Sequence, residues 1–328
     1  MRALVTGASG FTGRHIVEKL VAGNHTVRCL VRRTSNIEPL KRMGVEICFG
    51  DLADGESLKR AAHSVDVLFH TAAHVGDWGT RRQFYEGNVV GTRNVLEAAL
   101  VGGVKKLLYI SSVAVYGRQQ GVVNEEAPRQ KNGDPYVDTK IEAETLVLDY
   151  ARQHGLAVSV LRPCVIYGPY DFKFLPRLAQ NILQGKMMVI GSGENRAPLV
   201  YVEDVADLSL LAAEREEATG EIFNAASGES ITWNQLLVQV ASALKAKPPK
   251  LHLPFPLVYY SGAVMEVLWR LARAQKPPLI TRFATTLLGG DYCYQMTKAE
   301  RVLGFRPKVM FRQGLENTIQ WMRGQGLC

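Results

Sequence analysis

Arg2-Ala3-Leu4-Val5-Thr6-Gly7-Ala8-Ser9-Gly10-Phe11-Thr12-Gly13, at the head of the chain, decides how the remainder is read. Ala3 to Val5 is a short apolar run of strand character. Residues 13–21 carry Ile16, Val17 and Leu20 on one side, at helical spacing. The turn between them has the spacing GxxGxxG. Glycine lets backbone approach a phosphate closely, and a helix N-terminus adds amides and a favourable dipole. Lying between the first strand and the first helix, Gly7, Gly10, Phe11, Thr12 and Gly13 predict a pyrophosphate-binding loop rather than a purely structural turn. The spacing differs from the GxGxxG of the general dinucleotide fingerprint.

Working outward, strand-like and helix-like segments alternate. Strands are expected at 26–31, 45–49, 65–70, 106–111, 157–161 and 220–225, and helices at 58–62, 89–99, 136–153 and 232–243. Thr232 and Gln235 fit a capping box at the start of the last helix. Short apolar strands alternating with helices predict an α/β fold, a doubly wound parallel sheet covered on both faces. After Pro163 the pattern loosens. We expect a nucleotide-binding domain over 1–165, with about 200–225 returning to it, and a smaller α/β substrate lobe over most of 166–328.

Composition narrows the function. With 47% apolar and 21% charged residues the chain reads as an ordinary globular protein. The net charge of +8 is scattered in pairs such as Arg32-Arg33 and Lys105-Lys106, which favours anionic small ligands over nucleic acid. Five cysteines form no CxxC pair and no metal-ligand spacing, so free thiols, no metal and a cytoplasmic setting are expected. No signal peptide is read at the start, and the apolar stretch from Leu253 to Met265 is too short to span a bilayer.

About 20 residues beyond the glycine loop, the fingerprint places an acid that holds the ribose of NAD. Here the second strand ends in Arg32-Arg33, which suits the extra phosphate of NADP. NADP is therefore the preferred cofactor, with NAD the alternative. Asp51, after the third strand, either approaches the adenine or caps a turn. His70 ends the fourth strand and is expected to be packed and hydrogen-bonded. Thr71, Ala72 and Ala73 follow it and leave room for a flat cofactor.

Tyr136 and Lys140 stand four apart on one helical face, where an ammonium favours the phenolate. The spacing recurs at Tyr294 and Lys298, but without a serine strand before it, so that copy is assigned to structure. Tyr116 is a rival base, yet Gln120 holds its fourth position and supplies no cation.

The glycine loop, Asp51-Leu52, His70-Thr71-Ala72-Ala73, Asn88-Val89-Val90-Gly91-Thr92-Arg93-Asn94, Ser111-Ser112 to Gly117, Tyr136-x-x-x-Lys140 and Arg162-Pro163 together resemble the extended short-chain dehydrogenase/reductases. The resemblance spans roughly the first 170 residues. It implies a Rossmann-type sheet and a catalytic set of Ser112, Tyr136 and Lys140. Ser112 would bond the reacting oxygen and Tyr136 would serve as acid/base. Lys140 would hold the nicotinamide ribose. The cofactor would also meet Leu52, Asn88, Pro163 and Val165. Many such relatives pair through two helices, here 89–99 and 136–153, which makes a homodimer the expectation.

Within that family the alternatives are sugar-nucleotide epimerases or dehydratases, and alcohol/ketone oxidoreductases. The first group usually carries an asparagine after the Arg-Pro motif, where this chain reads Cys164-Val165-Ile166-Tyr167. It also tends to hold an arginine where this chain has Ala197, although Arg196 is adjacent. The C-terminal half resembles instead the branch of 3β-hydroxysteroid dehydrogenases, sterol-4-carboxylate dehydrogenases and dihydroflavonol-reductase-like enzymes. That implies a small apolar hydroxy or keto substrate, sterol-like or a long-chain 3-hydroxy acid. Tyr259, Tyr260, Val264, Met265 and Leu268 are candidates to line its pocket. The same stretch, 253–273, with Arg270, Arg273 and Lys276, is a candidate for peripheral membrane contact. A non-catalytic NADP-binding regulator is the remaining reading, and the intact Ser-Tyr-Lys set argues against it.

Overall fold

A computed structural model describes residues 1–119 and 121–328. Its centre is a seven-stranded sheet, parallel throughout. From one edge to the other the strands are Ile222–Ala225, Ala157–Pro163, Lys106–Ile110, Val67–His70, Arg2–Thr6, Thr26–Val31 and Glu46–Phe49. The order reverses at Arg2–Thr6, the topological switch point of a doubly wound sheet.

These strands are largely buried on both faces because helices cover both. Phe11–Ala22 and Val202–Glu214 bury Ile16, Val17, Leu20, Val205 and Leu208 against one side. Gly55–Ala62, Gly91–Val101 and Pro135–His154 bury Leu58, Val95, Leu96, Ala143 and Val147 against the other. Helix ends follow local chemistry. Asp134 accepts from the amides of Tyr136 and Val137 at 2.9 and 3.1 Å, Pro135 opens the helix, and Gly155 closes it at φ 68°. The capping box at Thr232 and Gln235 is formed.

All seven strands run the same way, so the segments after Thr6, Val31, His70, Ile110 and Pro163 gather at one edge of the sheet. A third hydrophobic core, formed by segments from residue 165 onward, gathers around Tyr167, Tyr201, Trp233, Leu236 and Phe311. The outermost strand, Ile222–Ala225, is reached only after the chain has given Tyr167 and Tyr201 to that third core. It then pairs with Ala157–Pro163.

Candidate active site

The glycine loop is held by contacts that exclude side chains. Gly7 sits at φ +71°, and a β-carbon on it would lie 2.8 Å from the Ala72 amide nitrogen. One on Gly13 would stand 2.3 Å from the Gly7 carbonyl oxygen. The loop therefore packs directly against the residues after the fourth strand, where Thr71 donates to the Thr6 carbonyl at 2.7 Å. No side chain caps Gly10, and no acid occupies the first turn of Phe11–Ala22. A side-chain cap would occupy these first-turn amides; without one they stay available to an anion. The donor set thus fits a dinucleotide pyrophosphate.

Arg32 and Arg33 follow the second strand, both exposed, with the Arg33 guanidinium 5.6 Å from the Phe49 ring. Among the described residues neither forms an ion pair. Asp51 is exposed and accepts from the Ala53 amide at 2.9 Å, as a turn cap does. Leu52 is half-buried, with its carbonyl held by Asn94 at 2.7 Å. His70 lies buried between the Thr6 and Thr92 hydroxyls, at 2.8 and 3.0 Å. Burial, and then the Lys140 charge, push it down to about 3, so it stays neutral.

Asn88 is buried in a π-helical turn, Glu86–Val90. Its oxygen accepts from the His74 amide at 2.7 Å, and its nitrogen donates to the His74 carbonyl and the Thr139 hydroxyl at 3.1 Å each. The side chain thus ties the segment after the fourth strand to the Pro135–His154 helix. That segment continues as a strap bonded to residues from 173 onward. Lys173 donates to the Val75 carbonyl at 2.8 Å, Asp77 meets Arg177 and Thr281 at 3.3 Å, and Trp78 donates to the Ala274 carbonyl at 3.0 Å.

Ser112 opens a 3₁₀ turn after the Lys106–Ile110 strand, accepting from the Ala114 amide at 3.1 Å. The Tyr136 phenol is nearly buried, with the Ser112 side chain beside it and two rings edge-on, Phe84 at 6.3 Å and Phe283 at 6.1 Å. Lys140 stands one turn along. Its ammonium faces the Tyr109 hydroxyl and the Ile110 carbonyl, both at 2.8 Å. Burial lowers it to about 7, with the Glu144 carboxylate pulling the other way. Burial also raises Tyr136, opposed by Ser112. Burial is the largest influence on the phenol, and it disfavours the phenolate.

Pro163 ends its strand and Val165 begins the short strand Val165–Tyr167, paired with Leu199–Tyr201. Tyr116 is removed as a base. Its buried hydroxyl donates to Asn224 at 2.7 Å, accepts from Arg162 at 2.8 Å, and is pushed up to about 12, mainly by burial. Gln120 lies outside the described residues. Tyr294 stacks on Tyr116 at 5.7 Å and Lys298 pairs with Glu221 at 2.5 Å, so both members of that copy are engaged in packing and an ion pair.

Two substrate expectations change. Tyr260, Val264 and Leu268 are more than half exposed, because their helix, Phe255–Leu271, turns Val258, Gly262 and Glu266 inward. The apolar rings beside Tyr136 are Phe84 and Phe283. Arg196, the possible diphosphate ligand, is engaged by Asp291 through two contacts at 2.8 and 2.6 Å. Phe283 went unread because it lies far along the chain on a different helix, and no local spacing ties it to Tyr136.

The NAD dependent epimerase/dehydratase family description matches residues 3–226. A 2-alkyl-3-oxoalkanoate reductase of Stenotrophomonas maltophilia (strain K279a) is 34% identical, covering 96% of this chain and 97% of that protein. The decarboxylating sterol-4-alpha-carboxylate 3-dehydrogenase of Mus musculus is 31% identical, over 97% and 90%. The crystal structure of Thermus thermophilus UDP-glucose 4-epimerase complexed with NAD superposes with a TM-score of 0.78 at 28% identity, covering 99% of each chain. With its parallel sheet, its glycine loop and this kinship, the chain belongs to the NAD dependent epimerase/dehydratase family and is an NAD(P)-dependent oxidoreductase.

Proposed function

We propose that this chain interconverts a ketone and a secondary alcohol on an apolar substrate, with NADP preferred over NAD. The observation that carries the reading is the Tyr136 phenol, flanked by Ser112 and walled by the Phe84 and Phe283 rings. Relatives named for 3-oxoalkanoate reduction and for sterol dehydrogenation support it. So does the absence of an asparagine after Pro163, together with the engagement of Arg196 by Asp291.

The first-turn amides of Phe11–Ala22 would hold the cofactor pyrophosphate, Arg32 and Arg33 the ribose phosphate, and Pro163 and Val165 the carboxamide end. When bound, the nicotinamide supplies or accepts the hydride. The chain's own residues manage the proton. Ser112 would bond the substrate oxygen and steady charge on it. Tyr136, whose phenol form is favoured by burial, would give that oxygen a proton in the reductive direction. Lys140, lowered to about 7, would exchange protons near neutrality behind it. The aromatic wall would exclude water and favour a hydrocarbon chain over a sugar.

The test is a panel of long-chain β-keto acids, sterol ketones and UDP-sugars with NADPH and NADH. Turnover is read by absorbance of the reduced cofactor and products by mass spectrometry. Net oxidation of NADPH with an apolar ketone is expected. Conversion of UDP-sugars alone, without net cofactor change, would make the chain an epimerase instead.

A further inference from the structure

The Phe255–Leu271 helix is amphipathic in an unusual sense. Leu257, Tyr260, Val264, Val267, Leu268 and Leu271 are each more than half exposed. At 3.6 residues per turn they fall on a single stripe, opposite Val258, Gly262 and Glu266, which are buried. An open groove of about 580 Å³ borders the stripe beside Pro256, Ser261 and Met265. Water seldom faces so continuous an apolar strip unless a partner covers it.

Charge selects the partner. Between Glu229 and Asp291 the chain carries Lys245, Lys247, Lys250, Arg270, Arg273, Lys276 and Arg282 against a single acid, Glu266. That acid is buried and bound to Arg282 at 2.8 Å. Among the described residues, Lys250, Arg273 and Lys276 pair with no carboxylate. Lys250 precedes the helix, while Arg273 and Lys276 follow it, so exposed cations flank the apolar stripe at both ends. A second copy docking on this face by a two-fold axis would bring these like charges together. An anionic lipid surface satisfies both the stripe and its flanks.

We infer that the Phe255–Leu271 helix lies on the surface of an anionic membrane, with its leucine and valine stripe in the acyl boundary. This holds whatever the substrate. The docked face is one helix away from the site: Arg282–Gly289 binds Glu266 through the Arg282 amide at 2.7 Å, and carries Phe283 to Tyr136.

The test is flotation of the full chain with vesicles of phosphatidylcholine alone and of phosphatidylcholine with phosphatidylglycerol. The protein should float with the anionic vesicles only, and less so at high salt. Leu268→Glu, and separately Arg273→Glu with Lys276→Glu, should each cut the bound fraction about tenfold or more, while NADPH binding is unchanged. If Leu268→Glu does not fold, the double variant carries the test. Three results would overturn the inference: no flotation, equal flotation with both vesicles, or binding by the variants that matches the parent. A fall in molar mass by light scattering on Leu268→Glu would also overturn it, by assigning the stripe to contact between copies.

Discussion

Glu144 and Arg162 meet as a buried bidentate pair, with Nε to Oε2 at 3.1 Å and Nη2 to Oε1 at 2.5 Å. Ser111 adds a hydrogen bond to the same carboxylate at 2.6 Å. Glu144 stands two turns beyond Tyr136, so the pair fixes the rotation of the helix that carries the phenol. Removing one partner strands a buried charge. Glu144→Gln is expected to cost about 3–5 kcal/mol in denaturant unfolding. The joint change Glu144→Gln with Arg162→Met should cost less than the two single changes added. A loss below about 1 kcal/mol for Glu144→Gln would show that the pair does not hold the helix.

Tyr136→Phe removes the proton donor and leaves the ring between Phe84 and Phe283. Turnover should fall by about 10²–10⁴, with NADPH affinity and unfolding midpoint nearly unchanged. Ser112→Ala should lose about 10²-fold, mainly in kcat. Steady-state kinetics beside fluorescence titration of NADPH separate the two effects. Retained turnover in Tyr136→Phe would move the acid elsewhere.

Exposed Arg32 and Arg33 have no carboxylate to leave behind when they are removed. Arg32→Ala with Arg33→Ala should weaken NADPH binding about tenfold to a hundredfold, as loss of charge-assisted bonds does. NADH binding should hardly change. Equal losses for both cofactors would remove the arginines from the ribose phosphate.

His70 links stability to acidity. Folded, it titrates near 3 rather than its usual 6.5, so between those values the unfolded chain binds a proton that the native chain does not. Its contribution is therefore complete above about pH 6.5 and is lost as pH falls toward 3. His70→Gln keeps a side chain able to bond Thr6 and Thr92 but does not titrate. Between pH 6 and 4, the parent should lose about 1.4 kcal/mol per pH unit more than the variant. Parallel pH curves from urea melts would mean that His70 is protonated in the fold.

Most of the architecture was legible because its signals are local. The strand before Gly7, the helix after Gly13 and the four-residue step from Tyr136 to Lys140 each need only short-range spacing. What escaped is carried by contacts between distant segments. Glu144 reads as an ordinary helix acid until Arg162 arrives from a neighbouring strand. Asn88 reads as a cofactor ligand, and its bonds to His74 appear only once the π turn is folded. The apolar stretch from Leu253 was legible as a stripe. Which way it faces depends on Gly262, whose lack of a side chain lets Ile280 and Thr281 approach within 3.2 and 3.3 Å of where a β-carbon would stand.

The outermost strand of the sheet, Ile222–Ala225, has a consequence for biosynthesis. Until residue 225 has left the ribosome, Ala157–Pro163 is an edge strand, with its outer amides open to any neighbouring chain. Fragments ending between those two strands inherit that edge and should self-associate. Expression trials that trim the chain after Pro163 need to keep Ile222–Ala225, or cap the strand beside it.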